Sequence, residues 1–143
     1  MSEALSGSCL CGAIRYTIAA DVKDLRACHC TNCQKASGAA GSVNAVVPSA
    51  AFKITKGTPK RYSAKADSGR ILNRYFCGDC GSPIYSQRET TPEIVVVRAG
   101  TLDDAPRGLK IGMHIWTKSA REWAHIDAGA QQHSGQPDAP RKT

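Results

Sequence analysis

The chain has 143 residues, the size of one compact domain. Hydrophobic residues make up 41% but aromatics only 6%, and 13 glycines and 7 prolines interrupt the run of the chain, which excludes a bundle of long packed helices and favours short strands and turns. The formal charge of +7 is spread from Arg15 to Lys142 with no dense basic block, so it suits anionic small molecules or polyanions without identifying either, and the lack of an aromatic-rich basic stripe argues against nucleic acid as a partner.

Residues 13–18 alternate, with Ile14, Tyr16 and Ile18 on one face, and predict a half-buried strand. Residues 22–27 predict a short strand running into Cys28, and residues 31–36 one helical turn that Ser37-Gly38 ends. Strands follow at 42–47, stopped by Pro48, and at 52–55, before a Gly57-Thr58-Pro59 turn. Further extended segments are expected at 60–64, 70–76 running into Cys77, 83–87, 94–99 and 109–116. The Ile94-Val95-Val96-Val97 run reads as a central strand buried on both faces. From residue 127 onward Gly, Gln, Ser, Pro and charge lack periodicity, so the expected organisation is one domain over 1–126 and a disordered tail over 127–143. About eight strands, no long helix and no repeat predict a mainly β fold of small antiparallel sheets. No stretch reaches the ~18 to 20 apolar residues of a membrane span. The opening Met1-Ser2-Glu3-Ala4-Leu5 lacks a signal-peptide pattern, so the expected location is the cytoplasm, where disulfides rarely persist.

Seven cysteines in that setting point to metal. They form three clusters: Cys9 and Cys11; Cys28, Cys30 and Cys33; Cys77 and Cys80. The outer pairs are each half of a tetrahedral site, whereas the middle Cys-x-Cys-x-x-Cys can wrap one ion from a single loop. The simplest partition gives two zinc ions per chain. Cys9, Cys11, Cys77 and Cys80 form a closed structural site, and Cys28, Cys30 and Cys33 form a second with one position open for substrate. With seven thiolates and two Zn²⁺ the formal charge falls to about +4. Alternatives stay open at this stage: a redox pair at Cys77 and Cys80, closure of the middle site by His29, His114 or His125, a redox or metal-delivery loop, or occupancy by Cu(I) or iron.

The segments SCLCGAIRY, CHCTNCQKASG, RYFCGDCGSPIYS and HIWTKS resemble the glutathione-dependent formaldehyde-activating enzyme and centromere protein V family, over about residues 7–126. The resemblance implies an Mss4-like arrangement of small sheets and a structural zinc on Cys9, Cys11, Cys77 and Cys80. It also implies a substrate-associated zinc on Cys28, Cys30 and Cys33. The implied activity is that of a carbon–sulfur lyase joining formaldehyde and glutathione as S-hydroxymethylglutathione. Arg74, Lys35, Arg98 and Lys118 are candidates, by charge, for holding an anionic thiol. His114 and Trp116 match a family feature that could line a pocket, and Ser37 and Gly38 could offer backbone N–H groups. The competing functions are a non-catalytic binding module, as in the centromere branch, and a zinc or thiol-stress buffer. An open position on the middle zinc separates the enzyme from both.

Overall fold

The computed structural model describes residues 4–66 and 69–137. Three strands, β1 (Leu5–Ser8), β2 (Arg15–Ile18) and, further along, β5 (Phe52–Lys56), pair antiparallel into a small sheet. Between β2 and β5 come β3 (Asp24–Cys28), the helix α1 (Thr31–Ser37) and β4 (Ser42–Pro48). After β5 the chain runs through β6 (Lys60–Lys65), β7 (Ile71–Phe76), β8 (Pro83–Arg88), β9 (Ile94–Arg98), β10 (Lys110–Ile115) and the two-residue β11 (Gln131–Gln132). These form an eight-stranded sheet in the order β11-β10-β3-β4-β9-β8-β7-β6. The fold is mainly β, as the periodicity predicts, and its pairing is antiparallel except where β10 joins β3 and β11 in parallel.

The period of two gives the large sheet two faces with different jobs. One face meets the small sheet. Ile14, Tyr16 and Ile18 of the first hairpin are buried there with Ala45, Val47, Val95 and Val97. An aromatic row crosses the same layer, with Phe52 between Tyr16 and Tyr85 at ring distances of 5.3 and 4.7 Å. These three rings join the small sheet, which carries Tyr16 and Phe52, to β8 of the large one, which carries Tyr85. The other face is not a second core. Ile94, Val96 and Arg98 point there into a cavity, so the Ile94–Val97 run is central but buried in the core on one side only.

Two strands lay outside the sequence reading. β1 carries only Leu5 and Gly7 as apolar positions and is recruited by β2, its register running from Leu5 opposite Ile18 to Ser8 opposite Arg15. β11 has no apolar residue at all. Its neighbourhood corrects the expected tail, because residues 127–137 fold back along β10. The Trp116 N–H donates to the Gly135 carbonyl (3.2 Å), the Thr117 N–H to His133 (3.1 Å), and the His133 N–H to His114 (2.9 Å). Backbone pairing of this kind needs no hydrophobic pattern, which is why composition alone missed it. Residues 138–143 of the expected tail lie outside the described residues.

Candidate metal and ligand site

The outer cysteine pairs meet where the two sheets adjoin. Cys9 and Cys11 follow β1, Cys77 and Cys80 lie between β7 and β8, and all four Sγ atoms lie within 4.8 Å of one another. Cys9 and Cys11 are 3.7 Å apart and Cys11 and Cys77 3.8 Å. A tetrahedron with metal–sulfur bonds of about 2.3 Å has edges of about 3.8 Å, so the spacing fits a four-thiolate zinc site. Each half is a tight turn closed by a left-handed glycine, Gly12 at φ 79° and Gly81 at φ 80°. Backbone N–H groups of Ile14 (3.2 Å) and Cys80 (3.5 Å) donate to the sulfurs of Cys9 and Cys77. The Ser82 hydroxyl, 3.2 Å from Cys80, holds that thiol down to about 5. Such donors stabilise thiolate, the form a metal takes.

The middle trio is built differently. Cys28 ends β3, Cys30 caps α1 and accepts from the Cys33 N–H at 3.3 Å, and Cys33 sits in the first turn of that helix. Their three sulfurs also lie within 4.8 Å of one another and all three residues are buried. Hydrogen bonds from the Cys28 and Cys30 thiols hold Cys33 well below the usual thiol range, with the Ser42 hydroxyl and the Arg98 charge acting in the same direction. The same contacts push Cys28 up. Cys30 is raised as well, its contact with Cys28 being outweighed by its contact with Cys33 and by burial, so the contacts within the trio place the thiolate on Cys33 and leave the protons on its two partners. Among the described residues no histidine joins this group.

The trio opens into a cavity of about 540 Å³ on the free face of the large sheet, a volume suited to a small ligand. Its floor follows from register. Arg26 pairs with Asn44 and Asn44 with Arg98, while Arg74 pairs with Ser86. Arg70 and Arg88 complete five arginines in the wall. Arg98 donates to the Asn44 side-chain oxygen at 2.7 Å. Burial lowers the pKa of Arg26, Arg88 and Arg98, and neighbouring arginines lower those of Arg88 and Arg98 further. The cavity therefore favours an anion.

At the other end of the wall are Met113, Ile115 and Trp116. Trp116 has φ 59° and ψ 39°, the one left-handed non-glycine among the described residues. That conformation costs about 1–2 kcal/mol. It is held by the Gly135 carbonyl, by Gln136, which accepts from the indole N–H at 3.1 Å, and by Lys118, whose ammonium lies 5.0 Å from the ring centroid.

The candidate ligand residues separate accordingly. Arg74, Arg98 and Trp116 line the cavity; Ser37, Gly38, Lys35, Lys118 and His114 do not. The Ser37 hydroxyl is taken up locally, donating to the Gly41 carbonyl at 2.8 Å, and Gly38 at φ 69° closes α1. His114 lies between Met113 and Ile115, so alternation turns it to the opposite face of β10. There it is fully buried, with Nδ1 2.8 Å from His29 Nε2 and Nε2 3.2 Å from Asp127. His29 likewise points away from the sulfurs that flank it. Arg26, Arg88, Met113, Ile115 and Gln136 escaped the sequence reading. The signal for Arg26 was present, since a residue two before Cys28 on a strand shares its face.

Comparison with known proteins adds an independent line. A sequence-family model described as glutathione-dependent formaldehyde-activating enzyme matches residues 4–119. A Halomonas elongata protein named provisionally for that activity is 26% identical over 94% of this chain and 89% of its own length. Similarly named proteins of Emericella nidulans and Podospora anserina are 33% and 32% identical over 57% of this chain, which spans 40% and 38% of their lengths. A crystal structure of a Rhodobacter sphaeroides protein shares the fold at a TM-score of 0.56 and 20% identity, covering 74% of this chain and 98% of that one. Among the described residues no helix is long and apolar enough to cross a membrane.

Proposed function

The chain belongs to the glutathione-dependent formaldehyde-activating enzyme family, and from that membership and the site we propose that it is a zinc-dependent carbon–sulfur lyase-like enzyme of the cytoplasm that acts on thiol–aldehyde adducts. The observation that carries the reading is the juxtaposition of three clustered cysteines with an arginine-lined cavity that opens onto them. A Zn²⁺ on Cys28, Cys30 and Cys33 would keep one of four positions for a substrate thiol and hold it as thiolate at neutral pH. The zinc on Cys9, Cys11, Cys77 and Cys80 would tie the first hairpin to the β7–β8 turn and remain closed to ligands.

The protein's own groups supply the rest. The arginines draw an anionic thiol into the cavity and hold its carboxylates, leaving its sulfur toward the cysteine trio. Ile115, Met113 and Trp116 shield that end from water, which strengthens the charge interactions. In the forward direction the sulfur bonds to the formaldehyde carbon, the carbonyl π bond breaks, and the proton lost by the thiol is matched by one taken up at the new hydroxyl. A loop that merely sequestered zinc would have no use for the cavity, and a binding module would present its basic groups outward.

Zinc stoichiometry and adduct exchange test the proposal together. The native chain should hold about two zinc ions, and Cys33→Ser should lose one while remaining folded. Native protein should accelerate formaldehyde–glutathione exchange measured by NMR, and Cys33→Ser should not. Equal exchange rates for the two proteins would sink the reading.

A further inference from the structure

Two of the three clustered sulfurs are not held by the sheet. Cys28 closes β3 and is paired on both sides, with Ile115 of β10 and Ser42 of β4. Cys30 and Cys33 instead belong to the cap and first turn of α1, a helix of 7 residues. A helix that short does not hold itself together in water, so its place in the molecule is set by what it docks through. Its buried residues are Cys33 and Gln34. The first is a metal ligand in the reading above, and the second anchors through polar bonds.

The Gln34 carboxamide reaches three places. Its Nε2 donates to the His29 carbonyl at 2.8 Å and to the Ser119 carbonyl at 2.9 Å, and its Oε1 accepts from Arg121 Nε at 2.7 Å. Carbonyls only accept and a guanidinium only donates, so these partners fix which way the amide faces. His29 lies between Cys28 and Cys30, and its own N–H donates to the Ile115 carbonyl at 3.0 Å. Ser119 ends the 3₁₀ turn Thr117–Ser119, which Trp116 begins, and its N–H donates back to the Trp116 carbonyl at 3.1 Å. The amide therefore pins the cysteine loop and α1 to the turn that carries Trp116, a residue of the cavity wall. A buried amide bonded on every side specifies one arrangement, because any other leaves a buried polar group unpaired.

Resting on the thiol-capture reading above, we infer that Gln34 is a positioning residue, which sets where the Cys30 and Cys33 sulfurs stand relative to the Trp116 wall. A ligand whose sulfur reaches the trio then meets that wall with the rest of its length. Gln34 acts through these groups, since it is not itself part of the cavity wall.

Two substitutions test this in the cobalt-loaded full chain. Gln34→Met keeps the side-chain length and removes all three bonds, whereas Gln34→Glu keeps the Arg121 contact and withdraws both N–H donors. The spectrum of cobalt-loaded Cys33→Ser, which keeps only the closed site, is subtracted to leave the bands of the middle site. Both Gln34 variants should still hold about two metal ions, with middle-site bands shifted from the native ones before any thiol is added. Trp116 emission, read in a Trp123→Phe background, should shift as well, and glutathione should bind about fivefold more weakly by calorimetry. Val97→Ala, in the core between the sheets, controls for lost stability alone and should keep native bands, emission and affinity. Native values in both Gln34 variants overturn the inference, as does an equal change in Val97→Ala. If neither Gln34 variant folds, Arg121→Leu alters an exposed residue and releases the amide at Oε1. It should shift the same bands and emission, and native values there overturn the inference. Failure of the underlying reading has a separate signature. Glutathione would then leave the native cobalt bands unmoved, while the Gln34-dependent shift in thiol-free protein persists.

Discussion

His114 shows how a single residue's role is decided by parity. Its neighbours Met113 and Ile115 face the ligand cavity, while its own ring lies fully buried on the other side between His29 and Asp127. It is therefore a structural connector between the cysteine loop and the returning chain. His114→Ala should cost about 2–4 kcal/mol, because it leaves a void and strips a partner from His29. Urea unfolding would measure this, and His114→Asn should recover part of the loss by keeping one polar contact. Zinc content should stay at the native level in both variants. A drop to one zinc in His114→Asn would show that the histidine supports the metal site directly.

β9 is the element on which the core and the cavity share one backbone. Val95 and Val97 are buried in the core, whereas Val96 faces the cavity. Val97→Ala should destabilise by about 1–3 kcal/mol, and Val96→Ala should cost less than half of that while enlarging the ligand site. Paired denaturation curves and thiol-binding titrations separate the two effects, and equal destabilisation would contradict the assignment of faces. The segment from Asp127 to Pro137 is the other informative element. It pairs with β10, holds Trp116 in its left-handed conformation and places Gln136 and Pro137 in the cavity wall. Removing residues after Ile126 should lower the melting temperature and weaken thiol binding. In a Trp123→Phe background, the remaining Trp116 fluorescence should shift as that residue gains exposure.

For the whole molecule, the four-cysteine group is the joint between the two sheets, and the core clusters with it through buried Cys9 and Cys77. Cys80→Ser should unfold or aggregate, whereas Cys33→Ser should stay folded, since metal ligation at a joint is folding free energy. Circular dichroism during chelation should show loss of β signal only as the second zinc leaves; loss of the first with full unfolding would contradict this division. The sequence by itself determined the mainly β class, most strand positions and both cysteine groupings. Alternation, turn residues and ligand spacing are local patterns, legible wherever the local rule also holds in the fold. Only the tertiary structure decided which arginines share a cavity with the cysteine trio, that His114 turns away, and that Gln136 and Pro137 enter the cavity wall. Those outcomes depend on strand register and on backbone pairing between segments far apart in the chain, and neither leaves a periodic trace in the side chains. A one-residue change of register on β10 would exchange His114 for its neighbours in the cavity wall, with the sequence unaltered.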